Sequence, residues 1–250
     1  MPVEDLPETG IMSQPNPTTS RQGFTLVELL VVTAIIIVLA LFSFVGLRKL
    51  MLTAHKTESL NNIRALSSLS IASATDNNGN FPEIHSPANS TAPYWFSREF
   101  REEHELTRAQ CYSSANRCWK RTGMDICNPR DLWDWADGVS SVWGYVCLVN
   151  DNGWADSGDF VQPDNWASIR QQVSVGRNVR WVPEKIGQDV AYPILWMDLT
   201  RIWNGGIVGN FMKDDTKPLG THVGYLDGHI EWVRGDDMKE RFRGNATLLW

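Results

Sequence analysis

From Phe24 to Leu47 the chain is apolar at almost every position, and seventeen of these 24 residues are Phe, Leu, Ile or Val. Glu28 is the one charge in the run. As a helix the segment spans about 36 Å at ~1.5 Å per residue, against a hydrocarbon core of ~30 Å. Each large apolar residue favours insertion by roughly 0.3–0.6 kcal/mol, which together outweighs the roughly 3 kcal/mol penalty of one carboxylate. The pattern predicts a bilayer-spanning helix over 24–47. The alternative, a helix buried in a soluble core, fits less well because core helices seldom run so long without polar relief. A secretory signal peptide would need a basic start, ~7–15 apolar residues and a small-residue cleavage site. Here the run is longer and ends in Gly46-Leu47-Arg48-Lys49.

Beyond the run the spacing changes. Leu50, Leu52, Leu60, Ile63, Leu66, Ile71 and Ala74 approximate a spacing of three to four residues, with Lys56, Glu58, Asn62 and Arg64 on other faces. That is the pattern of an amphipathic helix over 48–75. No proline stands between Val27 and Asn80, so one helix of roughly 50 residues is expected, stopped by Asp76-Asn77-Asn78-Gly79 and Pro82. Residues 76–250 read as a β-rich head. Short apolar runs such as Val142–Val149 and Ala191–Asp198 suit strands. Val223–Leu226, Asp227-Gly228 and His229–Val233 predict a hairpin closed by a type I′ turn. The charged run Arg98–Leu106 reads as a solvated helix turn or loop. The fold class is therefore α+β, a long amino-terminal helix with an antiparallel sheet.

Composition narrows the function. With 23 Lys+Arg against 29 Asp+Glu the net charge is −6. Nucleic acid is not an expected partner, since a binder needs a basic surface to displace counterions. No Gly-x-Ser-x-Gly, His-Glu-x-x-His, P-loop or dinucleotide motif occurs, so the chain is not expected to be an enzyme. Of the five histidines, only His222 and His229 are placed to meet across the terminal hairpin as a metal pair, and exposed strand positions are the expected explanation for them. The twelve tryptophans either fill an all-β core or offer indole faces to a ligand such as a glycan. Cys111, Cys118, Cys127 and Cys147 fit no usual zinc spacing. They permit three disulfide connectivities, of which we take the sequential one, Cys111–Cys118 and Cys127–Cys147, with free buried thiols as the alternative. Asp151, Asn152, Asp156 and Asp159 concentrate oxygen ligands around Gly153 and Gly158, a candidate calcium loop that lacks EF-hand spacing and that a plain solvated turn explains as well.

Before the apolar run, Met1 to Gly23 is polar and carries Pro2, Pro7, Pro15 and Pro17. Its junction, Arg21-Gln22-Gly23-Phe24-Thr25-Leu26-Val27-Glu28, resembles the leader junction of type IV prepilins and type II secretion pseudopilins. The resemblance implies cytoplasmic cleavage between Gly23 and Phe24 by a prepilin peptidase and methylation of the new Phe24 amine. It also implies an assembly role for Glu28. A carboxylate within a membrane helix needs a partner, and the Phe24 amine, four residues away on the same helix face, is the natural one; an unpartnered glutamate snorkelling near the helix end is the alternative. The helix exit and the terminal hairpin also resemble this family, the latter its H-x9-DG group. The histidine that group places ten residues before the aspartate is absent, because Lys217 stands there and His222 lies only five residues before Asp227.

The implied organisation is a cleaved leader over 1–23, a transmembrane and assembly helix over 24–47, its amphipathic continuation over 48–75 and a head over 76–250. The expected protein is a pilus or secretion-filament subunit that partners other pilin subunits and inner-membrane lipid. The alternative is a ligand-binding or adhesive protein displayed on a pilin-type anchor. The head is expected in the periplasm or outside the cell, with the amino terminus cytoplasmic. Arg48, Lys49 and Lys56 follow the span while only Arg21 directly precedes it, so the positive-inside rule alone favours the opposite orientation. The processing junction, which must face the cytoplasmic peptidase, decides the orientation expected here.

Overall fold

The computed structural model describes residues 24–89, 91–119, 130–150, 154, 158–164, 180–245 and 247–250, the side chains of 43–46 excepted. The chain divides into two compact units, Met1–Arg48 and Lys49–Trp250. Helix α1 (Leu26–Asp76) runs through both. It ends as the proline-free stretch and the Asn-Gly cluster require. Asn78 and Gly79 take left-handed backbone angles (φ 53° and 84°), and the Gly79 amide returns to the Ala74 carbonyl at 2.8 Å.

In the first unit, the apolar side chains from Leu26 to Phe42 are exposed. Among the described residues, α1 is the one helix long and apolar enough to cross a membrane.

The second unit is α+β. Strand β1 (Trp95–Ser97) is followed by the short helices α2 (Arg98–Glu103) and α3 (Arg108–Cys111). Strands β2 (Ser140–Val142), β3 (Tyr145–Cys147), β4 (Asp159–Phe160), β5 (Ile194–Asp198) and β6 (Thr200–Trp203) come next. The remainder are β7 (Gly206–Gly209), β8 (Gly220–Tyr225), β9 (Ile230–Arg234), β10 (Glu240–Arg243) and β11 (Thr247–Leu249). They form three antiparallel sheets: β1-β2, β3-β5-β8-β9, and β4-β10-β11-β6-β7. The long amino-terminal helix and antiparallel strands expected from the sequence are present, but the strands are divided among three sheets.

The inward face of α1 begins later than its leucine spacing predicts. Leu50 and Leu52 are exposed, whereas Ser59, Ile63, Leu66, Ser67, Ser70 and Ala74 are buried. Half of that buried face is serine. Small side chains let the helix approach β8 closely: a Cβ on Gly224 would stand 2.9 Å from Ile63 Cγ2 and 3.2 Å from Ser67 Oγ. Beneath lies an aromatic core. Phe96 stacks on Trp143 (centroids 4.2 Å apart) and on Trp196 (5.4 Å), and the Trp196 indole N–H donates to Ser70 Oγ at 2.9 Å.

Two local expectations are corrected. The terminal hairpin does not close with a type I′ turn, since among the described residues only Gly228 of the Asp-Gly pair has positive φ (86°). The Gly228 amide donates to the Tyr225 carbonyl at 3.0 Å and the Tyr225 amide to the His229 carbonyl at 3.0 Å. This is a three-residue loop, Leu226–Gly228, with the glycine at the left-handed position. Asp227 keeps ordinary φ and receives the His229 amide on its carboxylate at 3.1 Å. In α2, Arg101 is not solvated. It is 6 % exposed and donates to the Trp133 carbonyl, Ser141 Oγ, Glu102 and Asp134.

Candidate functional site

At the start of α1, Thr25 is the residue before the first helical position, and Glu28 stands three residues on. Glu28 Oε2 accepts from the Thr25 amide and from Thr25 Oγ1, both at 2.9 Å, while the Glu28 amide donates to Thr25 Oγ1 at 3.2 Å. This reciprocal capping box satisfies amides that the first turn of a helix otherwise leaves open. The Thr-x-x-Glu signature before an apolar run was available in the sequence, and our reading of Glu28 by charge alone passed over it. Phe24 is exposed at the helix entrance, and Gly23, the other residue of the predicted scissile bond, lies outside the described residues. Threonine, glutamate and a fully exposed apolar stripe therefore open the helix together.

Residues 18–44 match the family model of the prokaryotic N-terminal methylation motif. The match contains Gly23, Phe24, Thr25 and Glu28, and it supports a type IV pilin-like protein, as the resemblance at the junction implies. With the long apolar helix it fits a membrane-anchored chain. The methylation motif leaves the head without a counterpart, and no curated protein or solved structure matches the chain.

Within the head, the side chains brought together are, His222 apart, ones the sequence reading did not single out. Asp198, at the end of β5, is fully buried and is the acceptor for four groups. Asn210 Nδ2 donates at 2.7 Å, the His222 amide at 2.9 Å and His222 Nδ1 at 2.8 Å, and the Ser59 hydroxyl of α1 completes the set. Asn210 in turn donates to the Gly144 carbonyl at 2.7 Å and accepts from Asn116 Nδ2 at 2.8 Å. Burial beside Asp198 pushes the Tyr145 phenol well above its ordinary value. The one acidic residue in an otherwise apolar strand was the available signal. Because donors from Ser59, Asn210 and His222 converge on one buried carboxylate, the cluster ties α1 to β5 and β8.

The histidine pair does not form. His222 lies opposite Trp232 across the hairpin, with ring centroids 4.7 Å apart, while His229 stacks on Tyr225 at 4.3 Å. Nor is His222 an exposed strand residue as expected. Lys56 of α1 sits 3.5 Å above the Trp232 ring, and desolvation there lowers its pKa.

The sequential disulfides are also corrected. Cys111 and Cys147 are free, buried thiols, and burial pushes both pKa values upward, which leaves them unreactive in the folded state. Cys118 is disulfide-bonded, and Cys127 lies outside the described residues. Cys111 closes α3 and Cys147 lies within β3, where each sulfur packs as a small apolar group.

Of the candidate calcium ligands, Asp159 is exposed on β4 opposite Arg243, and Asp151, Asn152 and Asp156 lie outside the described residues. Among the described residues no group of three His, Cys, Asp or Glu side chains is placed to hold a metal. Trp143, Trp154 and Trp196 are core residues; Trp95, Trp133, Trp135 and Trp203 are half-buried around it. Trp166 lies outside the described residues.

Proposed function

We propose that this chain is a structural subunit of a type IV pilus or type II secretion filament. It is made as a precursor, cleaved by prepilin peptidase between Gly23 and Phe24, methylated on Phe24 and held in the inner membrane until assembly. The head then faces the periplasm, or the exterior once the filament forms. The observation that carries this reading is the start of α1, where the methylation motif coincides with an apolar surface exposed from Leu26 to Phe42. In a bilayer lipid covers that surface; in a filament, helices of neighbouring subunits do, so one apolar helix suits both surroundings. Cleavage creates an amine four residues from Glu28, and pairing the two between subunits sets the register of each arriving copy. The chain itself performs no catalysis in this reading.

Mass spectrometry of the mature amino terminus tests it. The expected terminus is N-methylated Phe24; an intact Met1 or a cut elsewhere overturns the assignment. Glu28→Ala is expected to leave cleavage intact and to abolish incorporation into filaments. Normal incorporation of that variant removes the pairing role of Glu28.

A further inference from the structure

Among the described residues, Arg201 is the one deeply buried charge of the head that the hydrogen-bond network does not account for. It projects from β6 and is 4 % exposed, and among the described residues it has no carboxylate partner. Nη1 donates to the Tyr94 hydroxyl at 2.8 Å, and Nε is buried with no partner at all. Its Nε–Nη2 edge, the one a carboxylate grips with two parallel bonds, carries no hydrogen bond. Arg101, buried to the same degree, shows what a structural arginine in this head looks like: four acceptors surround it. Around Arg201 there are aromatic faces instead. Its guanidinium carbon stands 4.3 Å from the Trp119 ring centre, 4.8 Å from Trp203 and 4.9 Å from Tyr94. These rings favour a cation but accept no conventional hydrogen bond from it.

The guanidinium lines a cleft of about 190 Å³ whose wall also includes half-buried Trp135 and Trp203 and exposed Arg130. Arg130 lies 5.6 Å from the Trp135 ring centre. Two cations and four indoles, those of Trp95 and Trp119 included, thus meet in one opening, on a chain whose net charge is −6. The volume is smaller than the roughly 300 Å³ at which drug-sized sites begin, so it admits a single ring and not a chain of them.

We propose that this cleft binds a carboxylate carried on a single pyranose ring, as a uronic acid residue of an acidic glycan presents it. The carboxylate pairs with the Arg201 guanidinium through its unbonded Nη2, Arg130 adds charge at the mouth, and the ring stacks on Trp135. This ligand site is independent of the filament reading, since it uses only the head.

The test is titration of the full chain in detergent micelles, read by calorimetry and tryptophan fluorescence. The probes are galacturonate, galactose, benzoate and inorganic phosphate. Saturable galacturonate binding is expected, with galactose and phosphate at least about tenfold weaker. Arg201→Gln is expected to abolish it. Because replacing a buried arginine also perturbs folding, Trp135→Ala at the half-buried wall is the second variant, expected to weaken galacturonate about tenfold with an unchanged melting temperature. Absence of saturable galacturonate binding, an equal response to galactose or phosphate, or full binding by Trp135→Ala overturns the site. Benzoate binding as tightly as galacturonate overturns the sugar and assigns the ring to an aromatic acid.

Discussion

Between Leu26 and Phe42, helix α1 shows leucine, isoleucine and valine to its surroundings; between Ser59 and Ala74 it hides three serines. The more apolar half is uncovered and the more polar half is buried, the reverse of what hydropathy alone assigns inside a water-soluble fold. In the function proposed above, the exposed half, Glu28 apart, has only to be apolar all round, because lipid makes little demand on individual positions. The buried half faces one particular surface. There the serines serve as narrow residues that let β8 come close, and as hydrogen-bond partners for Asp198 and for the Trp196 indole. Shape and polar matching, and not greasiness, choose the inward face of the second half.

Three substitutions probe that contrast. Asp198→Ala is expected to have the largest effect, leaving buried donors on Ser59, Asn210 and His222 without their acceptor. A loss of about 3–5 kcal/mol follows, read as a lowered unfolding transition in calorimetry of the detergent-solubilised chain. An unchanged transition would mean that the carboxylate does not hold the helix. Gly224→Val comes next, since the added carbons collide with Ile63 and Ser67. Overpacking there is expected to cost about 1–3 kcal/mol, and a neutral result would deny the close approach of helix and strand. Thr25→Val, in the exposed half, removes only one side of a cap. It is expected to loosen the first turn by about 1 kcal/mol, seen as roughly fivefold faster amide exchange near Glu28 with the head unaffected.

Legibility followed the range of the interactions. The leader junction, the unbroken helix to Asp76 and the existence of the terminal hairpin depend on neighbouring residues, and each was readable in order along the chain. The hairpin's loop length was not, because Asp227 satisfies a local amide in ordinary backbone conformation, so only the glycine needs positive φ. The cap of Thr25 on Glu28 was written in the sequence and was missed by considering the glutamate only as a charge. The cluster on Asp198 joins residues 59, 198, 210 and 222, and the free Cys111 and Cys147 belong to α3 and β3. Such meetings depend on how β3, β5 and β8 are ordered across a sheet, which periodicity does not encode. Arg201 and its rings escaped for the same reason: Trp203 is two residues away on β6, but Tyr94 and Trp119 are distant in the chain and adjacent only in space.

The near-parallel rings of Phe96, Trp143 and Trp196 carry a practical consequence. Two indoles held 6.0 Å apart at 12° to one another form a coupled chromophore, and the second of them is tethered to the helix through Ser70. Any slackening of that tether alters the relative tilt of the rings, and with it the optical activity of the pair. The head thus carries an internal gauge of whether its helix is seated, legible without attaching a label.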